Sequence, residues 1–137
     1  MLVFSEYQTD TIDLALDFYG YEDCPKNYEF GPSVRDNFVL HFVTKGKGVF
    51  HFEKKEIHLE AGDLFLLPKN KVTYYQADSE EPWSYYWIGI SGTKVSDFMR
   101  FSTLQEKGFL KKTEVDTERI GLFMEQLVHK AEASKMT

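Results

Sequence analysis

A chain of 137 residues suffices for one domain, which at this size buries roughly two-thirds of the surface its unfolded chain exposes, and 42% apolar content makes a core feasible while 16% aromatic content suits one rich in β-structure. The formal net charge of -6 argues against a nucleic-acid-binding face on this chain, because phosphate binding needs a basic surface. The single cysteine, Cys24, excludes an intramolecular disulfide and any paired-cysteine zinc or redox motif and fits a reducing cytoplasm; the first residues show no signal-peptide pattern, and no apolar run approaches the roughly 20 residues of a membrane span.

In chain order, Ile12, Leu14, Leu16 and Phe18 alternate with Asp13, Ala15 and Asp17, the period of a strand or extended arm. Tyr19 to Pro25 is turn-rich and aromatic and reads as a surface loop in preference to an arm folded over a pocket. Tyr28-Glu29-Phe30 reads as a short strand ended by Gly31-Pro32. Arg35-Asp36 is a solvated pair unless Arg35 reaches a barrel rim, where its guanidinium fork would grip hydroxyls or a carboxylate.

From Val39 to Ile90 the chain reads as short strands punctuated by turns. Val39 to Val43 is a β-branched and aromatic run broken at Lys45-Gly46-Lys47-Gly48. Val49 to Phe52 and Ile57 to Leu59 flank a polar hairpin loop, Glu53 to Glu56. A turn at Glu60 to Asp63 leads into Leu64 to Leu67, a continuous apolar run expected of a buried strand. Pro68 ends it, because proline cannot donate to a ladder. Val72 to Ala77, an acidic loop, and Trp83 to Ile90 complete the set. Strands at this spacing, with no crossover helix between them, predict a small antiparallel barrel or sandwich.

After Ile90 the period becomes helical. Ser91 or Thr93 can cap a helix whose apolar face carries Val95, Phe98 and Met99 and which ends near Lys107-Gly108, with Phe109-Leu110 as a link. A second helix opens at Thr113 or Asp116, with Ile120, Phe123, Met124, Leu127 and Ala131 as its stripe. That stripe reads equally as a face packed on the barrel and as a dimerisation surface. Residues 1–92 are thus expected to form the β-barrel with its arm, and 93–137 the helical pair.

No established catalytic motif is present. A metal site on a strand needs two histidines at i and i+2, and His41, His51 and His58 lack that spacing. Glu56, His58 and Glu60 share a strand face, expected to be the solvated side of a hairpin. No catalytic residue, metal or cofactor is therefore expected. What stands out is the aromatic group Tyr74, Tyr75, Trp83, Tyr85, Tyr86 and Trp87. Alternation puts Thr73 with Tyr75 on one face, and Trp83, Tyr85 and Trp87 on another. Flat aromatic faces cover the apolar side of a sugar ring, while phenol and indole tips bond its hydroxyls. Some of these rings are expected simply to fill the core.

Taken together, Arg35-Asp36, Leu40-His41-Phe42 before Gly46-Lys47-Gly48, Ala61-Gly62-Asp63, Leu67-Pro68, Val72-Thr73-Tyr74-Tyr75 and Pro82-Trp83-Ser84-Tyr85-Tyr86-Trp87 resemble the N-terminal effector-binding domain of AraC/XylS-family transcription regulators. The multiple-sugar-metabolism type is especially similar. The resemblance runs from about Tyr19 to the second helix. It implies a mainly β, cupin-like double-stranded β-helix (jelly roll) followed by two C-terminal α-helices. It further implies a cytoplasmic sugar sensor, a homodimer made through those helices, no membrane, and contact with DNA only through a helix-turn-helix domain outside this chain. In the arabinose-binding member, sugar contacts come from the strand matching Thr73 to Tyr75 and from tryptophans matching Trp83 and Trp87. Tyr75 and Trp87 match in type, and Thr73 takes the place of a histidine. The expected ligand-binding set is Arg35, His41, Thr73, Tyr75, Trp83 and Trp87. A metal-dependent small cupin enzyme and a stand-alone carbohydrate-binding module are the alternatives.

Overall fold

In the computed structural model, residues 15–100 and 102–135 are described. The chain runs β1 (Ala15–Asp23), β2 (Glu29–Ser33), β3 (Phe38–Lys45), β4 (Lys47–Phe52), β5 (Lys55–Glu60), β6 (Leu64–Leu67), β7 (Thr73–Ala77) and β8 (Ser84–Ser91). It continues through α1 (Thr93–Arg100), α2 (Thr103–Lys107), β9 (Phe109–Leu110) and α3 (Glu118–Lys135). Two antiparallel sheets form, ordered β1-β8-β3-β6-β9 and β2-β7-β4-β5. The expected jelly-roll architecture is the one found.

Each strand turns alternate residues inward. On β4, Gly48, Phe50 and Phe52 are buried while Val49 and His51 are half-exposed. On β5, Ile57 and Leu59 are buried, and Glu56, His58 and Glu60 face solvent as predicted. β6 is buried throughout, because one face meets the inter-sheet core and the other meets the helices. The core between the sheets gathers Val43, Phe50, Phe52, Leu59, Phe65, Leu67, Tyr75, Trp83 and Tyr85. A second core lies outside the five-stranded sheet, where Leu40, Leu64, Leu66, Tyr86 and Ile88 pack against Val95, Met99, Met124, Leu127 and Val128.

Several expectations need correction. Tyr19 to Asp23 is strand rather than loop, because β8 offers it an unbroken ladder from Phe18↔Gly89 to Asp23↔Ser84, past a register shift between Leu16 and Phe18. Ile12 and Leu14 lie outside the described residues. The β4–β5 hairpin closes through two residues, Glu53 and Lys54, both at positive φ (50° and 65°), as a right-twisted ribbon requires. The helix expected to reach Lys107 is two helices, since Ser102 caps the second by accepting from the Gln105 amide, with Gly108 closing it in the left-handed region. Phe109-Leu110 pairs with β6 as a strand.

The stripe expected on the last helix is also rotated. Gly121, Met124, Leu127 and Val128 are buried, whereas Ile120 and Phe123 stay exposed. The cause is Phe42, whose ring lies where a Cβ on Gly121 would be, within 2.3 Å. The helix therefore seats on the sheet through its glycine.

Candidate functional site

Between the sheets, at the end bounded by the β2–β3 link, lies a cavity of about 120 Å³. Its lining comes from β1 (Phe18, Glu22), β2 (Phe30), β3 (Val39, His41), β7 (Tyr75) and β8 (Tyr85, Trp87), together with Tyr28, Arg35 and Leu67.

The aromatic wall is built by reciprocal seating. Gly20 pairs with Trp87 and Phe18 with Gly89 across β1 and β8. A Cβ on Gly20 would come within 2.3 Å of the Trp87 ring, and one on Gly89 within 2.3 Å of the Phe18 ring. Each ring thus lies over the other strand's glycine. Without both glycines the two aromatic faces would have no room beside the cavity.

The floor is polar but uncharged. His41 is 2% exposed, stacked on Phe65 at 4.3 Å and 9°, with Tyr75 and Tyr85 edge-on at 5.2 and 4.9 Å. Burial pushes its pKa down to about 3, with the Val39 carbonyl opposing and the Arg35 charge adding to the depression. The ring is therefore neutral, and its Nδ1 has no hydrogen-bond partner among the described residues. Burial also raises the phenols of Tyr75 and Tyr85 and lifts the Cys24 thiol to about 11. These groups present hydrogen-bond donors and acceptors without charge.

The rim is charged. Arg35 sits in the link from β2 to β3, half-buried. Its guanidinium carbon is 5.4 Å from the Phe18 ring centre and 5.3 Å from that of Phe30. Those rings come from edge strands of opposite sheets, so Arg35 bridges the mouth of the sandwich by cation–π attraction. It makes no ion pair among the described residues. Glu22 brings the one carboxylate of the lining.

Of the residues singled out in the sequence, Arg35, His41, Tyr75 and Trp87 meet at this cavity. Thr73 and Trp83 do not. Thr73 is buried two residues along β7, opposite Ser33 and Phe52. Trp83 has no exposed surface; it stacks on Phe65 at 5.1 Å and lies over Gly48, whose Cβ would approach within 2.6 Å. Alternation assigned it the inward face correctly, but that face is dry core at its depth. Phe18, Glu22, Tyr28 and Phe30 were not anticipated. The Leu16–Phe18 alternation was a signal for Phe18, while Glu22 came from a stretch that reads as loop and Tyr28 from the short strand expected at Tyr28-Glu29-Phe30, which begins at Glu29.

Among the described residues no three His, Cys, Asp or Glu side chains are grouped to hold a metal ion, and no helix is long and apolar enough to cross a membrane.

Comparison with known proteins gives the family. The model for the AraC-like ligand binding domain matches residues 15–136. The Msm operon regulatory protein of Streptococcus mutans is 46% identical over 102 residues, covering 74% of this chain and 37% of its own length. The raffinose operon transcriptional regulatory protein RafR of Pediococcus pentosaceus is 40% identical over 100 residues, covering 71% and 36%. The chain thus spans little more than a third of the length of these curated relatives. Among solved structures, a predicted oxalate decarboxylase of Thermotoga maritima superposes with a TM-score of 0.53 at 16% identity, covering 64% of this chain and 73% of that one. The cupin domain of Schizosaccharomyces pombe Cnp3 gives 0.51 at 13%, covering 64% and 62%. At those identities the likeness is one of fold alone. A cupin-like sandwich with a half-aromatic, half-polar cavity and a matching family model over nearly its whole length places the chain in the AraC-like ligand binding domain family.

Proposed function

We propose that the cavity binds a saccharide, and that the chain is the effector-sensing part of a regulator of a carbohydrate operon. The observation that carries this is the make-up of one small space. The rings of Phe18, Phe30 and Trp87 line it beside uncharged His41, Tyr75 and Tyr85, with Arg35 and Glu22 in the same lining. A sugar ring has an apolar face for the former and hydroxyls for the latter. The unpaired Nδ1 of His41 is a buried group for which an incoming hydroxyl is the missing partner.

The named relatives support the reading, since they regulate operons and one is named for raffinose. In the longer protein, occupancy would alter how a DNA-binding domain is presented, which requires the sugar to favour one arrangement over another. The exposed Ile120, Leu122 and Phe123 of α3 support contact with a second copy of the chain. Cytoplasmic location and the absence of enzymatic activity belong to the same reading.

The test is calorimetric titration with galactose, melibiose, raffinose, glucose, maltose, sucrose and fructose. Binding by at least one, weakened about tenfold or more by Trp87→Ala (a loss of about 1.4 kcal/mol), is the expected result. Binding by none, or binding indifferent to Trp87→Ala, refutes it.

A further inference from the structure

A second concavity adjoins the first. It has a volume of about 390 Å³ and is bounded by Phe18, Val34, Arg35, Asp36, Asn37 and Asn70. Phe18 and Arg35 line both spaces, so the Arg35 side chain is the partition between an inner chamber and an outer vestibule. The inner chamber alone falls well short of the roughly 300–1,000 Å³ of small-molecule sites, and the two joined fall within it.

The two spaces differ in chemistry. The inner walls are mostly rings. The vestibule carries a carboxylate and two carboxamides, groups that bond hydroxyls. Its frame is fixed by the backbone: the Asn70 amide donates to the Arg35 carbonyl at 2.7 Å, which ties the β6–β7 link to the β2–β3 link. Asn70 holds a left-handed conformation at φ 63°. Asn37 Nδ2 donates to Asp17 Oδ2 at 3.2 Å, which orients the amide and leaves its carbonyl oxygen open. The Asp36 carboxylate has no side-chain partner among the described residues. Neither does the guanidinium of Arg35, beyond its two aromatic neighbours.

We propose that the vestibule is a second sugar subsite and that the effector is an oligosaccharide of at least two rings. The terminal ring occupies the inner chamber, and the glycosidic link passes Arg35. The next ring offers its hydroxyls to Asp36, Asn37 and Asn70. Arg35 is placed to donate to hydroxyls on both sides of the link, because its fork is gripped by ring faces and its N–H edges are unused. This inference rests on the saccharide reading above.

The experiment compares each disaccharide with a monosaccharide it contains: melibiose with galactose, maltose with glucose, sucrose with fructose. Titrations use the wild-type chain, Asp36→Ala, Asn70→Gly and the double variant. Both positions are exposed, and glycine keeps the φ that Asn70 adopts, so thermal unfolding should confirm an intact fold. In at least one pair the disaccharide is expected to bind about tenfold tighter than its monosaccharide. The double variant is expected to lower that disaccharide's affinity about tenfold, two hydrogen bonds at ~0.5–1.5 kcal/mol each, while the monosaccharide changes by less than about twofold. If monosaccharides bind as tightly as disaccharides, or if the double variant weakens neither, the second subsite is refuted while the saccharide reading stands. If no sugar of the panel binds, both fall together.

Discussion

Replacing Gly20 by alanine tests whether the Trp87 indole is held where the cavity needs it. The new Cβ would lie 2.3 Å from Cζ2 and 2.5 Å from Cη2 of that ring, so the indole must move or the strand must shift. Overpacking of this kind costs about 1–3 kcal/mol, and removing a glycine from a strand returns about 0.5–1 kcal/mol. A net loss of about 0.5–2 kcal/mol is expected in the wild-type background. With Trp87→Ala already in place the obstruction is gone, and the same change should stabilise by about 0.5–1 kcal/mol. The effect thus reverses sign between the two backgrounds. Urea unfolding of the four proteins, read as a double-mutant cycle, measures it as a coupling of about 1–3 kcal/mol. Effects that add within about 0.3–0.5 kcal/mol would show that the indole does not lie over Gly20, and the account of the aromatic wall would fail.

Three further outcomes follow from the geometry. The His41 ring is neutral in the fold, with its pKa near 3, and about 6.5 unfolded, so its contribution is full above pH 6.5 and is lost as pH falls toward 3. Relative to His41→Phe, the wild-type chain should lose about 2 kcal/mol between pH 6.5 and 5; parallel stability curves would contradict this. Asp63 is 2% exposed and accepts from the amides of Glu60 and Lys112, both at 2.9 Å; Asp63→Ala should cost roughly 2–4 kcal/mol by denaturant unfolding, and a cost under about 1 kcal/mol would mean water replaces it freely. Lys54 stands at φ 65° in the β4–β5 turn; Lys54→Gly should raise stability by about 0.5–1 kcal/mol in thermal unfolding, and a loss would argue against that turn.

The strands from Val39 onward were legible because Gly46, Gly62 and Pro68 punctuate them and their apolar residues alternate or run together. β1 was not legible past Phe18. Tyr19 to Asp23 has the composition of a loop, and only the ladder offered by β8 makes it a strand. Likewise β9 has two residues, too few to carry any period, and exists because β6 has a free edge. Within the site, Tyr75 and Trp87 follow from alternation on their strands. Depth does not: Trp83 and Trp87 share a face, yet one fills the core and the other borders a void. Gly20 falls in the stretch that reads as loop and Gly89 inside the strand Trp83 to Ile90, whereas each is the seat of a ring supplied by a neighbouring strand, a pairing no single segment reveals.

β8 has two audiences. Its Tyr85 and Trp87 look inward on the chamber, while Tyr86 between them looks outward, its hydroxyl 3.2 Å from Nε2 of His129 on α3. A guest that displaces the indole drags the same stretch of main chain that carries the phenol. In the sensing role proposed above, news of occupancy would have one backbone to cross, not a chain of side chains, before it reached the final helix.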